Sequence, residues 1–193
     1  MKRVALLLVC AFVVTSIRTA TAQQKAELPK GLRGEMIANA NGVEAKVLDL
    51  VKAMPDDKFS WRPEEGVRSV SEVFLHIAGA NYLFPSFVGV KMPEGMDMKK
   101  WETSTTDKAK ISDAVKKSFE SFRESIMNLS DADLDKTTKM FGFETTYRNV
   151  YLVALTHMHE HLGQSIAYAR TNHVTPPWTA EQQEKAKKAK TGM

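Results

Sequence analysis

The sequence predicts an all-α protein, a four-helix bundle. Four stretches repeat apolar residues with the spacing of an amphipathic helix. No stretch shows convincing alternation of apolar and polar residues, the pattern expected of a half-buried strand. Helices of this length, joined in sequence, favour a bundle in which functional sites are built from inward-facing side chains.

The first 22 residues have the layout of a secretory signal peptide. Lys2 and Arg3 precede the apolar run 4–14, and small residues lead to Ala22. The run is shorter than the roughly 20 apolar residues that a membrane-spanning helix needs, and the charged, apolar, small order is typical of a cleaved signal. We therefore expect cleavage after Ala22, export to the periplasm or the medium, and a lead-in over residues 23–33. The alternative is an uncleaved anchor or an ordinary buried helix.

Removal of the signal changes the charge and the cysteine content. The whole chain has 27 Lys and Arg against 23 Asp and Glu, and its one cysteine is Cys10. Three of the basic residues and Cys10 lie in the signal, so the mature chain has 24 basic residues against 23 acidic ones and no thiol. This balance gives no reason to expect a nucleic-acid partner. The mature form contains no second apolar segment of membrane length.

The first two helices have recognisable ends. The first runs over about residues 34–54 and stops at Pro55. The second opens at Ser69, and Glu72 three residues later completes a capping box. His76 lies on the apolar stripe of this second helix, about two turns after its start.

The remaining chain contains two more helices. A long irregular segment, residues 89–106, comes first, and loops of this length are often functional lids or rims, with a plain crossover as the equal alternative. The third helix covers about 107–129, and the last runs over about 145–171 and is apolar on most of its circumference. The bundle is expected to extend over residues 34–178. Residues 179–193 form a lysine-rich tail, which we expect to be a solvated, frayed end.

The last helix contains the run HMHEHLGQ, residues 157–164. Residues four apart lie about 40° apart around a helix, so His157 and His161 point the same way. His159 points to nearly the opposite side. It is expected on the packing face formed by Leu152, Leu155, Leu162 and Ile166.

A third metal ligand has to come from another helix, and His76 is the histidine available there. Two imidazoles from one helix and one from a second leave coordination positions open, which suits a catalytic site. Each part alone has a plainer explanation, an incidental HxxxH pair or a hydrogen-bonded core histidine. A metal satisfies all three neutral imidazoles at once, which favours the site. The zinc-protease motif HExxH is absent, because Gly163 stands four residues after His159.

Two segments of the chain resemble the DinB-like superfamily of metal-binding four-helix bundles. They are PDDKFSWRPEEGVRSVSEVFLHIAGANY, residues 55–82, and THMHEHLGQSIAYARTNHVTPPW, residues 156–178. The matching positions are Pro55, Asp56, Asp57, Trp61, Pro63, Gly66, Ser69, Glu72 and His76 in the first segment, and His157, His161, Gly163, Gln164, Arg170, Asn172, Pro176 and Pro177 in the second. Both patterns occur in the family's order across the whole mature domain.

The resemblance implies a divalent transition metal, with zinc or nickel most often discussed, held by His76, His157 and His161. Helix geometry selects the same three residues. One departure is that Asn172 or His173 stands where many members have a glycine. The end of the last helix therefore has to use Asn172 or a different turn, and we expect His173 to be a cap or surface residue.

Two classes of function remain, one from the resemblance and one from the packing face that carries His159, a face that could equally be buried within the bundle. The first is an exported, metal-dependent hydrolase or transferase that acts on an unidentified small molecule. The second is a non-catalytic metal-binding or dimerising bundle, in which small residues such as Gly163 and Ala167 allow a homodimer to form on the face that carries His159. Glu44 and Asn81 lie on neighbouring helices, but nothing selects either as a general base, so the catalytic residues are unassigned.

Overall fold

The computed structural model describes residues 27–192. The predicted signal peptide and the first residues of the lead-in lie outside this range. The described part of the chain forms α1 (Leu32–Ala53), α2 (Val70–Ser86), α3 (Met98–Trp101), α4 (Lys108–Met127), β1 (Thr137–Met140), β2 (Phe143–Thr146), α5 (Tyr147–Thr171) and α6 (Pro177–Thr191). Among the described helices, none combines the length and the apolar character that a membrane crossing requires.

The four long helices form the predicted bundle. Helices α1 and α2 each pack against both α4 and α5. The consecutive helices α1 and α2 therefore face each other diagonally, as α4 and α5 do. This order makes α2 and α5 direct neighbours although they are far apart in the chain.

The predicted apolar stripes fill the core. On α4, Ile111, Val115, Phe119, Phe122 and Ile126 are fully buried. At the start of α2 the capping box is present. The Glu72 N–H donates to Ser69 Oγ, and the Ser69 N–H donates to the Glu72 carboxylate at 2.7 Å. This cap fixes where α2 begins, and hence which of its residues point toward α5.

Beside the bundle, the described chain contains one short hairpin that the sequence pattern did not mark. Strands β1 and β2 form an antiparallel hairpin in which Met140 pairs with Phe143. The turn residues Phe141 and Gly142 both have positive φ, 52° and 89°, as a two-residue hairpin turn requires. The strands are four residues long and none of their side chains is fully buried. Six of their eight residues are polar, so no alternation of apolar and polar residues was available to mark them.

The lysine-rich tail is helical rather than frayed. Helix α6 begins with Pro177 at its first turn, a position that tolerates proline because no backbone N–H is needed there. The residues that follow are mostly Ala, Glu, Gln and Lys, all good helix formers. Lys46 of α1 lies over the ring of Trp178, 5.8 Å from its centroid. The side chains of residues 181–192 are exposed, as expected of a solvated segment.

Candidate metal centre

Three histidines from two helices meet inside the bundle. His76 comes from α2, and His157 and His161 come from adjacent turns of α5; each offers one ligand atom, and these atoms all lie within 4.8 Å of one another. Nε2 of His76 and Nε2 of His157 are 3.0 Å apart. The structure thus brings together the three histidines that the sequence selected.

The spacing of the donor atoms of His76 and His157 suits a small cation. Zinc binds imidazole nitrogens at about 2.0–2.1 Å, so a tetrahedral ion holds two such nitrogens roughly 3.3 Å apart. The observed separation of 3.0 Å between His76 and His157 is close to that value. The ring centroids of the three histidines lie 4.4 to 4.8 Å apart.

All three rings lie at the edge of the apolar core. The side chain of His76 is 20% exposed, while its neighbours Leu75 and Ile77 are buried. Phe84 lies on α2 about two turns after His76. Its ring packs edge-on against His157, with 5.4 Å between the ring centroids. The cluster is thus shielded by the core on one side and reached by solvent on the other.

Burial keeps two of these imidazoles neutral. Desolvation, with added repulsion from Arg68 and from protonated His161 and His76, lowers the pKa of His157 to about 4, against an opposing effect of Glu102. Desolvation also lowers the pKa of His76, although its hydrogen bond to Glu102 opposes the shift. Neutral imidazoles carry the free lone pair that a metal ligand requires.

A carboxylate orients the first histidine. Nδ1 of His76 lies 2.6 Å from Oε1 of Glu102. Burial raises the pKa of Glu102, but hydrogen bonds from Arg68 and His76 outweigh it, so the net pKa is lowered and the group is a carboxylate. Because a carboxylate only accepts, the proton of neutral His76 sits on Nδ1 and the lone pair of Nε2 faces the cluster.

An amide orients the third histidine. Nδ1 of His161 lies 2.8 Å from Oε1 of Gln164. The amide group of Gln164 donates to the Tyr168 hydroxyl at 3.0 Å, and that hydroxyl donates to the backbone oxygen of Arg68 at 3.1 Å. With the Gln164 oxygen as acceptor, Nδ1 of His161 carries the proton and Nε2 is free to bind.

The middle histidine has no such support. Nδ1 of His157 is buried, and no group in residues 27–192 hydrogen-bonds to it. Its Nε2 faces the lone pair of His76 Nε2 at 3.0 Å. Two lone pairs at that distance repel, so either a proton on His157 or a cation has to lie between them. The donor set therefore fits a metal ion.

Several residues around the site were not predicted. Arg68, Glu102, Gln164 and Tyr168 surround the histidines and hold two of them in place. Gln164 follows His161 by three positions, a spacing that places both side chains on one helix face and could have predicted their contact. Glu102 lies in the irregular segment 89–106, where no periodicity indicates where a side chain points.

The other candidate residues lie elsewhere. Glu44 forms an ion pair with Arg123, and the amide of Asn81 donates to Ser118 Oγ at 3.0 Å, so neither reaches the histidines as a base. His173 adopts φ 60° just after the C-cap Asn172. Its N–H donates to Arg170, and the next N–H donates to Ala169, which is a Schellman ending of α5. The expectation that His173 is a cap is confirmed.

The expected packing face around His159 is only half buried. Leu155 and Leu162 are buried, whereas Leu152 is 40% exposed. His159 is exposed too, and its Nε2 lies 3.2 Å from the side-chain oxygen of Asn39 in α1. His159 therefore lies at the groove between α1 and α5, away from the other two histidines of the run.

The segment 89–106 covers α2 next to the site. The indole N–H of Trp101 donates to the backbone oxygen of Leu75 at 2.7 Å. Trp101 and Met98 both lie against Gly79, where an added Cβ would be 2.9 Å from the Trp101 ring. A cavity of about 330 Å³ is lined by Trp101 and residues 93–97 among others, and none of the three histidines lines it.

Comparisons with known proteins agree with this fold. A crystal structure of a DinB-like protein from Bacillus cereus superposes with a TM-score of 0.67 at 20% identity, covering 76% of this chain and 95% of that one. YfiT from Bacillus subtilis, described as a probable metal-dependent hydrolase with an unusual four-helix bundle topology, superposes with a TM-score of 0.61 at 18% identity, covering 77% and 92%. A DinB-like protein of Bacillus subtilis, YjoA, gives a TM-score of 0.58 at 20% identity, covering 73% and 93%. No curated protein matches the chain.

The sequence profile of the DinB superfamily matches residues 41–165. This range begins within α1 and includes all three clustered histidines. It also spans most of the domain that the two sequence segments marked. The chain is a member of the DinB superfamily.

Proposed function

We propose that this protein is a metal-dependent enzyme, a hydrolase or transferase that acts on a small molecule. His76, His157 and His161 hold a divalent transition ion. The observation that carries the proposal is the convergence of three imidazole donors within 4.8 Å of one another. The description of YfiT as a probable metal-dependent hydrolase supports the same class of reaction.

The side chains divide the work of the site. The three histidines bind the ion, and Glu102 and Gln164 orient two of them through their Nδ1 atoms. When bound, a divalent ion supplies a Lewis acid that polarises a substrate oxygen and activates water near neutral pH. Three protein ligands leave coordination positions for that chemistry. Imidazole ligands suit zinc and nickel among the divalent ions, and we propose one of these two.

We also propose that the protein is exported after cleavage near Ala22. The charged, apolar and small residues of the first 22 positions support this. N-terminal sequencing of protein recovered from the periplasm or the medium tests it. A mature chain that starts at Gln23 is the expected result, and recovery of the intact Met1 form alone would contradict it.

The experiment for the activity is a screen of metal-loaded protein. Zinc-loaded and nickel-loaded samples are assayed against model esters, lactones and amides, and the same samples are assayed after chelation. The variant His161→Ala serves as the control for the site. Hydrolysis is expected from the loaded wild type alone, and hydrolysis that survives His161→Ala would reject metal catalysis.

A second candidate is a bundle that binds metal without catalysis. Met98 and Trp101 pack on Gly79 beside the site, and the cavity in the adjoining loop does not reach the histidines. Under this alternative, tight metal binding is accompanied by no turnover of any model substrate. A homodimer formed through the face that carries exposed Leu152 and Gly163 belongs to this candidate, and sedimentation equilibrium measures it.

A further inference from the structure

We propose that the long connection between α2 and α4 is part of the metal centre. Its residue Glu102, held by Arg68, is a positioning residue that fixes His76 in the tautomer with Nε2 free to bind. This inference builds on the proposed three-histidine site. It assigns the segment 89–106 a role in ligand orientation, where the sequence left a lid and a plain crossover as equal alternatives.

The contact between Arg68 and Glu102 is a two-pronged ion pair. Nε of Arg68 donates to Oε2 of Glu102 at 2.6 Å, and Nη2 donates to Oε1 at 3.2 Å. Oε1 also accepts from Nδ1 of His76 at 2.6 Å. Paired, planar contacts of this kind fix the carboxylate in orientation as well as position. The plane of the Glu102 carboxylate therefore determines the direction of the His76 ring.

The residue that precedes Glu102 is anchored to the same turn that carries His76. The preceding residue, Trp101, donates from its indole N–H to the backbone oxygen of Leu75, which precedes His76. The absence of a side chain at Gly79 permits this approach, because a Cβ there would meet the Trp101 ring at 2.9 Å. Glu102 and His76 are thus held together at two adjacent residue pairs.

Arg68 also joins the two oriented histidines. Its guanidinium holds Glu102, and its backbone oxygen accepts the hydrogen bond from Tyr168 that ends the chain from His161 through Gln164. A side-chain substitution at Arg68 removes only the first connection, because the backbone oxygen is kept. The effect of such a substitution on the orientation of His76 therefore passes through Glu102, while loss of the positive charge acts on His76 and His157 directly.

A carboxylate behind a metal-binding histidine affects the ion in two ways. It fixes the tautomer and the ring direction, and its negative charge raises the basicity of the ligand nitrogen. Loss of such a partner typically weakens metal affinity by roughly 10- to 100-fold. The exposed fraction of the Glu102 side chain is 29%, so the pair is partly shielded from solvent. We expect an effect near the lower end of that range.

The first measurement is zinc affinity, obtained by competition with a chromophoric chelator. The variants are Glu102→Gln, Arg68→Met and their combination, with Glu94→Gln as the matched control. Glu94 is exposed, lies in the same segment and loses the same charge. We expect about a tenfold weaker affinity for Glu102→Gln, a smaller loss for Arg68→Met, and no further loss in the double variant. Equal affinities for Glu102→Gln and Glu94→Gln would overturn the proposal.

The second measurement needs no metal. Long-range proton–nitrogen NMR on the chelator-treated protein reads which nitrogen of His76 is protonated. We expect protonated Nδ1 in the wild type and in Glu94→Gln, and a shift toward protonated Nε2 in Glu102→Ala. A wild type already protonated at Nε2 overturns the proposal, even if Glu102→Ala fails to fold. A wild type with the expected tautomer that binds neither zinc nor nickel instead rejects the proposed function and leaves the role of Glu102 in orienting His76 in place.

Discussion

The Nε2 atoms of His76 and His157 lie 3.0 Å apart across the interface of α2 and α5. Nδ1 of His76 carries the proton and donates it to Glu102. Nε2 of His76 therefore has only a lone pair in the contact with His157. Without an ion, His157 has to supply the proton, which leaves its buried Nδ1 with neither a proton nor a partner. An ion would replace that proton and satisfy the lone pairs of both Nε2 atoms, while Nδ1 of His157 has no hydrogen-bond partner in residues 27–192 in either state.

Substitution of one ligand tests the cluster directly. His161→Ala removes one of three donors and is expected to weaken zinc binding by more than the roughly 10- to 100-fold that loss of a supporting residue costs. The matched control is His159→Ala, two residues away on the same helix, because His159 is exposed and bonded to Asn39 instead. Chelator competition measures both. Equal losses in the two variants would show that the cluster is not the site.

Zinc is expected to stabilise the folded protein. A ligand that binds only the folded state adds about 2.7 kcal/mol at a concentration of 100 times its Kd. Calorimetric unfolding with zinc and with chelator measures the difference as a shift in Tm. His76→Ala serves as the control, since it removes the donor contributed by α2. A zinc-dependent shift that persists in this variant would place the bound ion elsewhere.

The metal-free protein is expected to lose stability on mild acidification. Burial lowers the pKa of His157 to about 4 from an ordinary value of 6.5. Between those values the unfolded chain binds the proton and the folded chain does not, so the free energy of unfolding falls as the pH falls through this window. The slope ends below the folded pKa, where both states are protonated.

Urea unfolding in the presence of chelator, at neutral and at mildly acidic pH, measures this dependence. The variant His157→Gln has no titrating group at this position and is expected to show a shallower decline. His159→Gln, which removes an exposed histidine of the same run, is the control. An identical decline in wild type and His157→Gln would contradict the prediction.

Gly79 is expected to be a sensitive position of α2. Alanine there would place Cβ 2.9 Å from Cδ1 of Trp101. The Trp101 ring is itself held by the hydrogen bond from its indole N–H to the backbone oxygen of Leu75. We expect a loss of roughly 1–3 kcal/mol, the usual cost of overpacking, together with weaker zinc binding because Glu102 adjoins the displaced ring. Urea unfolding and chelator competition measure the two effects.

Gly163 provides the comparison for that variant. It lies inside α5, and an added Cβ there meets no atom within 4 Å. Gly163→Ala is therefore expected to stabilise the protein by roughly 0.5–1 kcal/mol, the gain of alanine over glycine within a helix. If both substitutions stabilise, the close approach of Trp101 does not constrain α2.

The parts of the fold that were predicted depend on local periodicity. The stripe from Ile111 to Ile126 and the capping box at Ser69 are set by residues within one or two turns of each other. The pairing of His157 with His161 has the same origin, because a spacing of four residues suffices to put both on one face. The contact of His76 with these two histidines depends on how α2 packs against α5, which periodicity within one helix does not determine. The family pattern indicated that His76 belongs to the same site.

The parts that were missed depend on contacts distant in sequence or on weak patterns. Glu102 reaches His76 from an irregular segment 26 residues later, and its position follows from how Trp101 packs on Gly79. The hairpin turn at Phe141 and Gly142 joins strands that have no fully buried side chain. No apolar alternation marks these strands, because most of their residues are polar.

The diagonal order of the helices has a consequence for assembly. Because α2 touches α5, the contact between His76 and His157 joins points 81 residues apart, and the intervening chain includes all of α4 and the hairpin. An ion held there would cross-link the chain into a loop that comprises most of the domain. The entropic cost of closing a loop rises with its length, so the ion would act as a reversible cross-link that restricts the unfolded chain. A fragment that ends before α5 lacks His157 and His161 and could not form this cross-link.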